Sequence, residues 1–182
     1  MGEILITRRN ITNIGNGAYE LLADIELASS ATIIEINGLN IVKGSEYVLL
    51  SDLKTTTTTG YLISLFINTY TTETSYYSQI VGASATTVSL SRANSPSIGE
   101  FDTTVNSNVY IMTRLKLTND GKFAYISSTA ESYNINNSIW VRDFNGASTF
   151  SVSSITKLTI STTQANNFGA GSRVQLYKIG GA

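Results

Sequence analysis

The stretch that decides the fold runs Asn108-Val109-Tyr110-Ile111-Met112-Thr113-Arg114-Leu115-Lys116-Leu117-Thr118-Asn119-Asp120-Gly121-Lys122-Phe123-Ala124-Tyr125-Ile126. Val109, Ile111, Leu115 and Leu117 share one parity; Tyr110, Met112, Arg114 and Lys116 share the other. A period of two places the first set on one face of a pleated strand and the second set on the opposite face. Asn119-Asp120-Gly121 then supplies residues that tolerate positive φ, a strong hairpin signal. Residues 122–126 form the return strand. This segment therefore reads as a half-buried antiparallel hairpin.

Working outward, the same grammar recurs. Short apolar stretches alternate with Gly, Asn, Ser and Asp turns at about 8–12 residue spacing, the pattern of a sandwich or barrel. Residues 19–27 fit a strand better than a short helix, since no capping pair marks a helix start. Residues 31–37, closed by Gly38, and residues 45–53 follow as strands. Thr55 to Thr59 is a threonine run, read as a loop tip or frayed strand end. Residues 61–67 are apolar at both parities, which predicts burial on both faces. Residues 75–81 and 86–91 pair around Gly82-Ala83-Ser84. Residues 92–107, with Pro96 and Gly99, form the longest candidate loop. Ile139-Trp140-Val141 is a strand, and Asn145-Gly146 marks a second hairpin. Residues 155–161 and 173–179 complete about ten to twelve strands. The expected fold is all-β: an antiparallel β-sandwich of jelly-roll type over residues 19–182, preceded by an extended arm over residues 1–18.

Composition sets the function classes. At 182 residues and 42% hydrophobic, the chain is long and apolar enough for one well-buried domain. The net charge is -1, and basic residues are scattered, with Arg8-Arg9 the longest run. Nucleic-acid binders concentrate Lys and Arg on a face, so no nucleic-acid partner is expected. No apolar run approaches the roughly 20 residues of a membrane helix. In the first nine residues the basic side chains follow the apolar ones, the wrong order for a secretory signal. The chain reads as a complete, unprocessed frame. Cysteine is absent, which removes disulfides and thiolate metal sites.

Histidine is absent too. The commonest general base, the Ser-His-Asp and Cys-His nucleophile systems and the commonest metal ligand go with it. A carboxylate pair remains for glycoside chemistry. Glu20, Asp24, Glu26 and Glu35 lie near the start, and Glu100 and Asp102 share one side of an extended segment. We read these as solvated charges and the protein as a non-enzyme with no cofactor. Calcium, an oxygen-ligand metal, is compatible with Asn119-Asp120-Gly121 and Asp143-Phe144-Asn145-Gly146, but turn chemistry explains both more simply. Tyr70, Tyr76, Tyr77, Tyr133 and Trp140 would form a sugar-stacking platform if exposed together, or core and interface packing if not.

The C-terminal stretch carries a resemblance. Ile155-Thr156-Lys157-Leu158-Thr159-Ile160 is followed by Ala165-Asn166-Asn167-Phe168-Gly169-Ala170-Gly171-Ser172-Arg173-Val174-Gln175-Leu176-Tyr177-Lys178-Ile179. This is similar to the closing segment of a family of tailed-bacteriophage virion proteins, in which a strand, a Gly-Ala-Gly-Ser turn and a Leu-Tyr strand end the domain. Residues 29–39 and 47–53 resemble that family's first half; residues 68–135 are unmatched. Gly169 and Gly171 are expected to permit a turn that a Cβ would obstruct. The resemblance implies a β-sandwich in a virion, assembled in the host cytoplasm. The expected role is capsid decoration (cement), bridging the major capsid protein or other virion proteins, as a homo-oligomer, trimer before dimer. The alternative is a tail-fibre or baseplate-associated receptor-binding domain that recognises a host surface glycan. Under the cement reading, residues 1–18 and 92–107 carry the partner contacts.

Overall fold

The computed structural model describes residues 19–57, 60–84, 87–101, 107–120, 124–133 and 139–180. The arm expected over residues 1–18 and the carboxylate of Asp102 lie outside them. The described residues hold twelve strands. The first four are β1 (Tyr19–Glu26), β2 (Ile33–Val42), β3 (Glu46–Lys54) and β4 (Leu62–Ile67). Next come β5 (Tyr76–Ser84), β6 (Thr87–Ala93), β7 (Ser97–Glu100) and β8 (Asn108–Leu117). The last are β9 (Ala124–Tyr133), β10 (Ile139–Ser148), β11 (Ser154–Thr162) and β12 (Arg173–Ile179). Among the described residues no helix is long and apolar enough to cross a membrane.

Two antiparallel sheets pack face to face. The large sheet has the order β1-β12-β3-β8-β9-β10-β5-β6, and the small one β2-β11-β4-β7. Eight of the strands pair as a nested set, first with last: β1 with β12, β2 with β11, β3 with β8, and β4 with β7. The other four strands, β9-β10-β5-β6, extend the large sheet beyond β8.

The deciding hairpin forms as its periodicity requires. β8 alternates exposed and buried side chains along its whole length, and Leu117 pairs with Ala124 across the turn. Val109, Ile111, Leu115 and Leu117 lie in the core with Leu49 and Leu53 of β3 and Val174 and Leu176 of β12. The small sheet answers with Ile34, Ile36 and Ile41, Leu158 and Ile160, Ile63 and Leu65. β4 is buried from Ile63 to Ile67, so both of its faces are covered, as its apolar residues at both parities predict. Thr113 and Ser128 are a buried cross-strand pair, and the Ser128 hydroxyl donates to Thr113 Oγ1 at 2.9 Å.

Several local expectations need correction. Gly38 does not close its strand. β2 continues to Val42, with Gly38 at φ 70° where the register against β11 shifts, a bulge. Gly82 is not a turn residue either; β5 runs on to Ser84. The long loop over residues 92–107 contains β7, buried from Ser97 to Gly99. A Cβ on Gly99 would sit 2.4 Å from Ile111 Cδ1, so a larger residue there would have to displace the Ile111 side chain from the core. Four residues with no polar alternation carry no strand signal, which is why the segment reads as loop. The Thr run is anchored rather than frayed at its start: Thr55 bridges to Phe168 and is buried.

Asn145-Gly146 is the clearest departure. Both residues lie inside β10, paired with Gln79 and Ser78 of β5 on one side. A Cβ on Gly146 would stand 2.4 Å from the backbone oxygen of Tyr77. The glycine serves close approach of two strands, not a turn.

Candidate functional site

The acidic candidates are taken up by structural pairs. Asp24 accepts a bidentate bond from Arg173 at 2.8 and 2.6 Å, which raises the guanidinium pKa further. Lys157 donates to Glu35 and holds its carboxyl below the usual range, against the opposing effect of burial. Glu100 pairs with Arg142, tying β7 to β10. Glu20 and Glu26 are exposed on β1. The calcium-compatible segments are likewise engaged. Asp120 accepts from Thr118 Oγ1 at 2.5 Å, and Asp143 from Thr129 Oγ1 at 2.7 Å. Among the described residues no group of three His, Cys, Asp or Glu side chains is placed to hold a metal.

The predicted aromatic platform divides. Tyr76 is 1% exposed and belongs to the core, so it presents no face to a ligand. Its hydroxyl donates to the Tyr70 carbonyl at 2.9 Å and accepts from the Ile67 amide at 2.8 Å. Tyr70 stacks on Phe150 with centroids 3.6 Å apart, and Tyr76 meets Phe150 and Phe66 edge-on at 5.4 and 5.9 Å. Tyr70 and Tyr76 thus form an aromatic cluster with Phe150 and Phe66. Trp140 lies on β10 opposite Ser84 and Ser132, and Tyr133 on β9; as side chains both fall outside the described residues.

Burial pushes the Tyr76 hydroxyl up to about 12. The folded state therefore holds this proton more tightly than the unfolded chain, whose value is 10. The resulting stability is present below pH 10 and is lost as pH rises to about 12. Tyr76→Phe orphans the Ile67 amide and the Tyr70 carbonyl, an expected loss of about 1–3 kcal/mol. Urea denaturation followed across this alkaline range checks both points. The wild-type chain should weaken more steeply than the Phe variant, and parallel curves would contradict the assignment.

Tyr77 points the other way and is 62% exposed on the outer face of the large sheet. There the register brings it beside a residue that sequence reading passed over. Ala147 of β10 pairs with Tyr77 of β5 on one side and with Tyr125 of β9 on the other. Tyr125 is 56% exposed. The two tyrosines flank a small residue and bound an open cleft of about 880 Å³, whose lining includes Gln79, Arg92, Asn94 and Asn145. Ser127 Oγ donates to Asn145 Oδ1 at 2.7 Å, which leaves the Asn145 amide hydrogens as donors. Parity alone places Tyr77 and Tyr125 outward; only the three-strand register makes them neighbours.

Next to the cleft, among the described residues, the large sheet ends at β6. Val88 and Leu90 are 72% and 79% exposed there. Cross-strand pairing sets them against Ala83 and Val81 of β5, and Val141 of β10 adjoins Ala83. Val81, Val88, Leu90 and Val141 make one exposed aliphatic cluster.

The Gly-Ala-Gly-Ser segment is structural. Gly169 N donates to Lys54 O and Gly171 N to Leu27 O, each at 2.7 Å, while Ser172 Oγ accepts from Lys54 N at 3.0 Å. Gly171 needs glycine for its φ of 78°, whereas a Cβ on Gly169 would meet only ordinary contacts at 3.4 Å. The obstruction expected at both glycines holds for Gly171 through its backbone conformation, not at Gly169.

The fold and these surfaces define the class: an antiparallel β-sandwich with a cleft between two exposed tyrosines and an exposed aliphatic cluster on the outer face of its large sheet. No protein-family model matches the chain, and no curated protein matches it.

Proposed function

We propose that this chain is a non-enzymatic virion structural protein, a capsid decoration protein that stabilises the head by bridging capsid subunits. The nested first-with-last pairing supports reading the sandwich as a jelly roll, an architecture used in viral capsid and lectin domains. By itself that is analogy of fold. The observation that carries the proposal is the exposed aliphatic cluster of Val81, Val88, Leu90 and Val141, which spans β10, β5 and β6 next to the strand that ends the large sheet among the described residues. Exposed apolar patches at open edges mark association surfaces, and monomeric proteins blunt such edges with charge. Here Arg92 is the single charged residue on β6. A near-neutral chain also repels its own copies weakly. Three copies about one axis are the first expectation, two the next.

The test is a Val88→Lys/Leu90→Lys double variant. The wild-type chain should scatter light as an oligomer and be retained on purified phage particles. The double variant should keep its melting temperature, scatter as a monomer and be lost from particles. Incorporation equal to wild type would overturn the proposal.

A second reading, a tail-fibre or baseplate-associated receptor-binding domain for host carbohydrate, is favoured by the Tyr77–Tyr125 cleft.

A further inference from the structure

We infer that the cleft between Tyr77 and Tyr125 is a saccharide site selective for an acidic sugar, with Arg92 as the carboxylate-binding residue. The inference rests on the carbohydrate reading and names the ligand class.

The spacing comes first. Tyr77 and Tyr125 stand two strands apart with Ala147 between them. Two strand spacings are about 9.5 Å. A puckered ring held between two aromatic faces needs two contacts of about 3.5–4.0 Å plus its own thickness. The backbone spacing thus leaves room for one saturated ring above Ala147, and a larger residue than alanine there would fill it.

The polar groups come second. Two residues along the strands, on the same face, Asn145 of β10 pairs with Gln79 of β5, and Gln79 pairs with Arg92 of β6. An amide, a second amide and a guanidinium therefore lie in a row beside the slot, all exposed. Amides match the paired donors and acceptors of sugar hydroxyls. A pocket with apolar rings and a few aimed polar groups is the usual form of a small-ligand site.

Charge selects the ligand. The described residues lining the cleft contain Arg92 and no carboxylate. Arg92 has no carboxylate partner among the described residues, unlike Arg142, Arg173 and Arg114, which pair with Glu100, Asp24 and Glu46. A planar guanidinium with unused donors fits a carboxylate in two parallel bonds. A neutral sugar would leave that capacity idle.

The experiment uses the full chain and two probes that differ only in the carboxylate: oligomers of galacturonic acid and of galactose. Binding is read by calorimetry and by saturation-transfer NMR. The acidic oligomer should bind about tenfold or more tightly than the neutral one, the range of a charge-assisted bond. Arg92→Gln should bring the two affinities together. Tyr77→Ala and Tyr125→Ala should abolish binding of both, with unchanged melting temperature. Equal affinity for the two oligomers, lost in the tyrosine variants, would overturn the acidic selectivity and leave the carbohydrate reading standing. Binding of neither oligomer, or binding indifferent to the tyrosines, would overturn both.

Discussion

Gly146→Val should lower stability by about 3 kcal/mol or more, beyond the usual cost of overpacking because the clash is with main chain. For a chain of this size that is a fall of about 6–12 °C in melting temperature. The new Cβ would stand 2.4 Å from the Tyr77 carbonyl oxygen, and 3.4 Å from Ser78 Cα. A side chain escapes such contact by changing rotamer; a ladder carbonyl escapes only by moving β5 away from β10. Since β6 hangs on β5, the strain should loosen both strands at the edge of the large sheet. Gly82→Ala is the natural control. Its Cβ would approach side-chain atoms of Ser89 and Arg142 at 3.1 and 3.2 Å, which can shift. Calorimetric melting of the two variants checks the contrast. Equal, small losses in both would show that β5 and β10 do not approach as closely as the structure places them.

Asn167→Ala is expected to cost about 2–3 kcal/mol. Asn167 is fully buried, and its Oδ1 accepts from Thr55 Oγ1 at 2.6 Å and Thr57 Oγ1 at 2.9 Å. Its backbone oxygen also takes the Thr56 amide at 3.1 Å, while Thr56 Oγ1 donates to the neighbouring Asn166 carbonyl. The threonine run and the C-terminal loop are thus one hydrogen-bonded knot joining residues 112 positions apart. Truncation leaves the buried Thr55 hydroxyl without this partner; Thr57, less buried, regains water. A double-mutant cycle with Thr55→Val isolates the bond. Removing both partners should be less damaging than the sum of the single losses, with a coupling of about 1 kcal/mol or more. Strict additivity would rule out the Thr55–Asn167 bond as the source of the loss.

These two positions show where sequence reading stops. Asn145-Gly146 and Asn119-Asp120-Gly121 carry the same local signal. One lies in the interior of a strand; of the other, the described residues Asn119 and Asp120 lie in a turn just beyond the end of β8. The difference is the neighbour. What Gly146 accommodates is a carbonyl of β5, 69 positions earlier in the chain, and no local pattern encodes that approach. β7 carries no strand signal for the same reason: its burial comes from lying against β8 and β9, not from its own four residues. The aromatic candidates divided along the same line. Tyr76 and Tyr77 have equal β propensity and adjacent positions, but alternation sends one into the core and the other to solvent.

The sequence by itself determined the strand content, the inward set of β8, the double-sided burial of β4 and the lack of histidine and cysteine chemistry, because these follow from side-chain type and a period of two. The tertiary structure alone decided which strands are neighbours. Register across β9, β10 and β5 is a long-range property set by packing. It made Tyr125 the companion of Tyr77, put Asn145, Gln79 and Arg92 in a row beside them, and left Val88 and Leu90 exposed on the strand that ends the large sheet among the described residues.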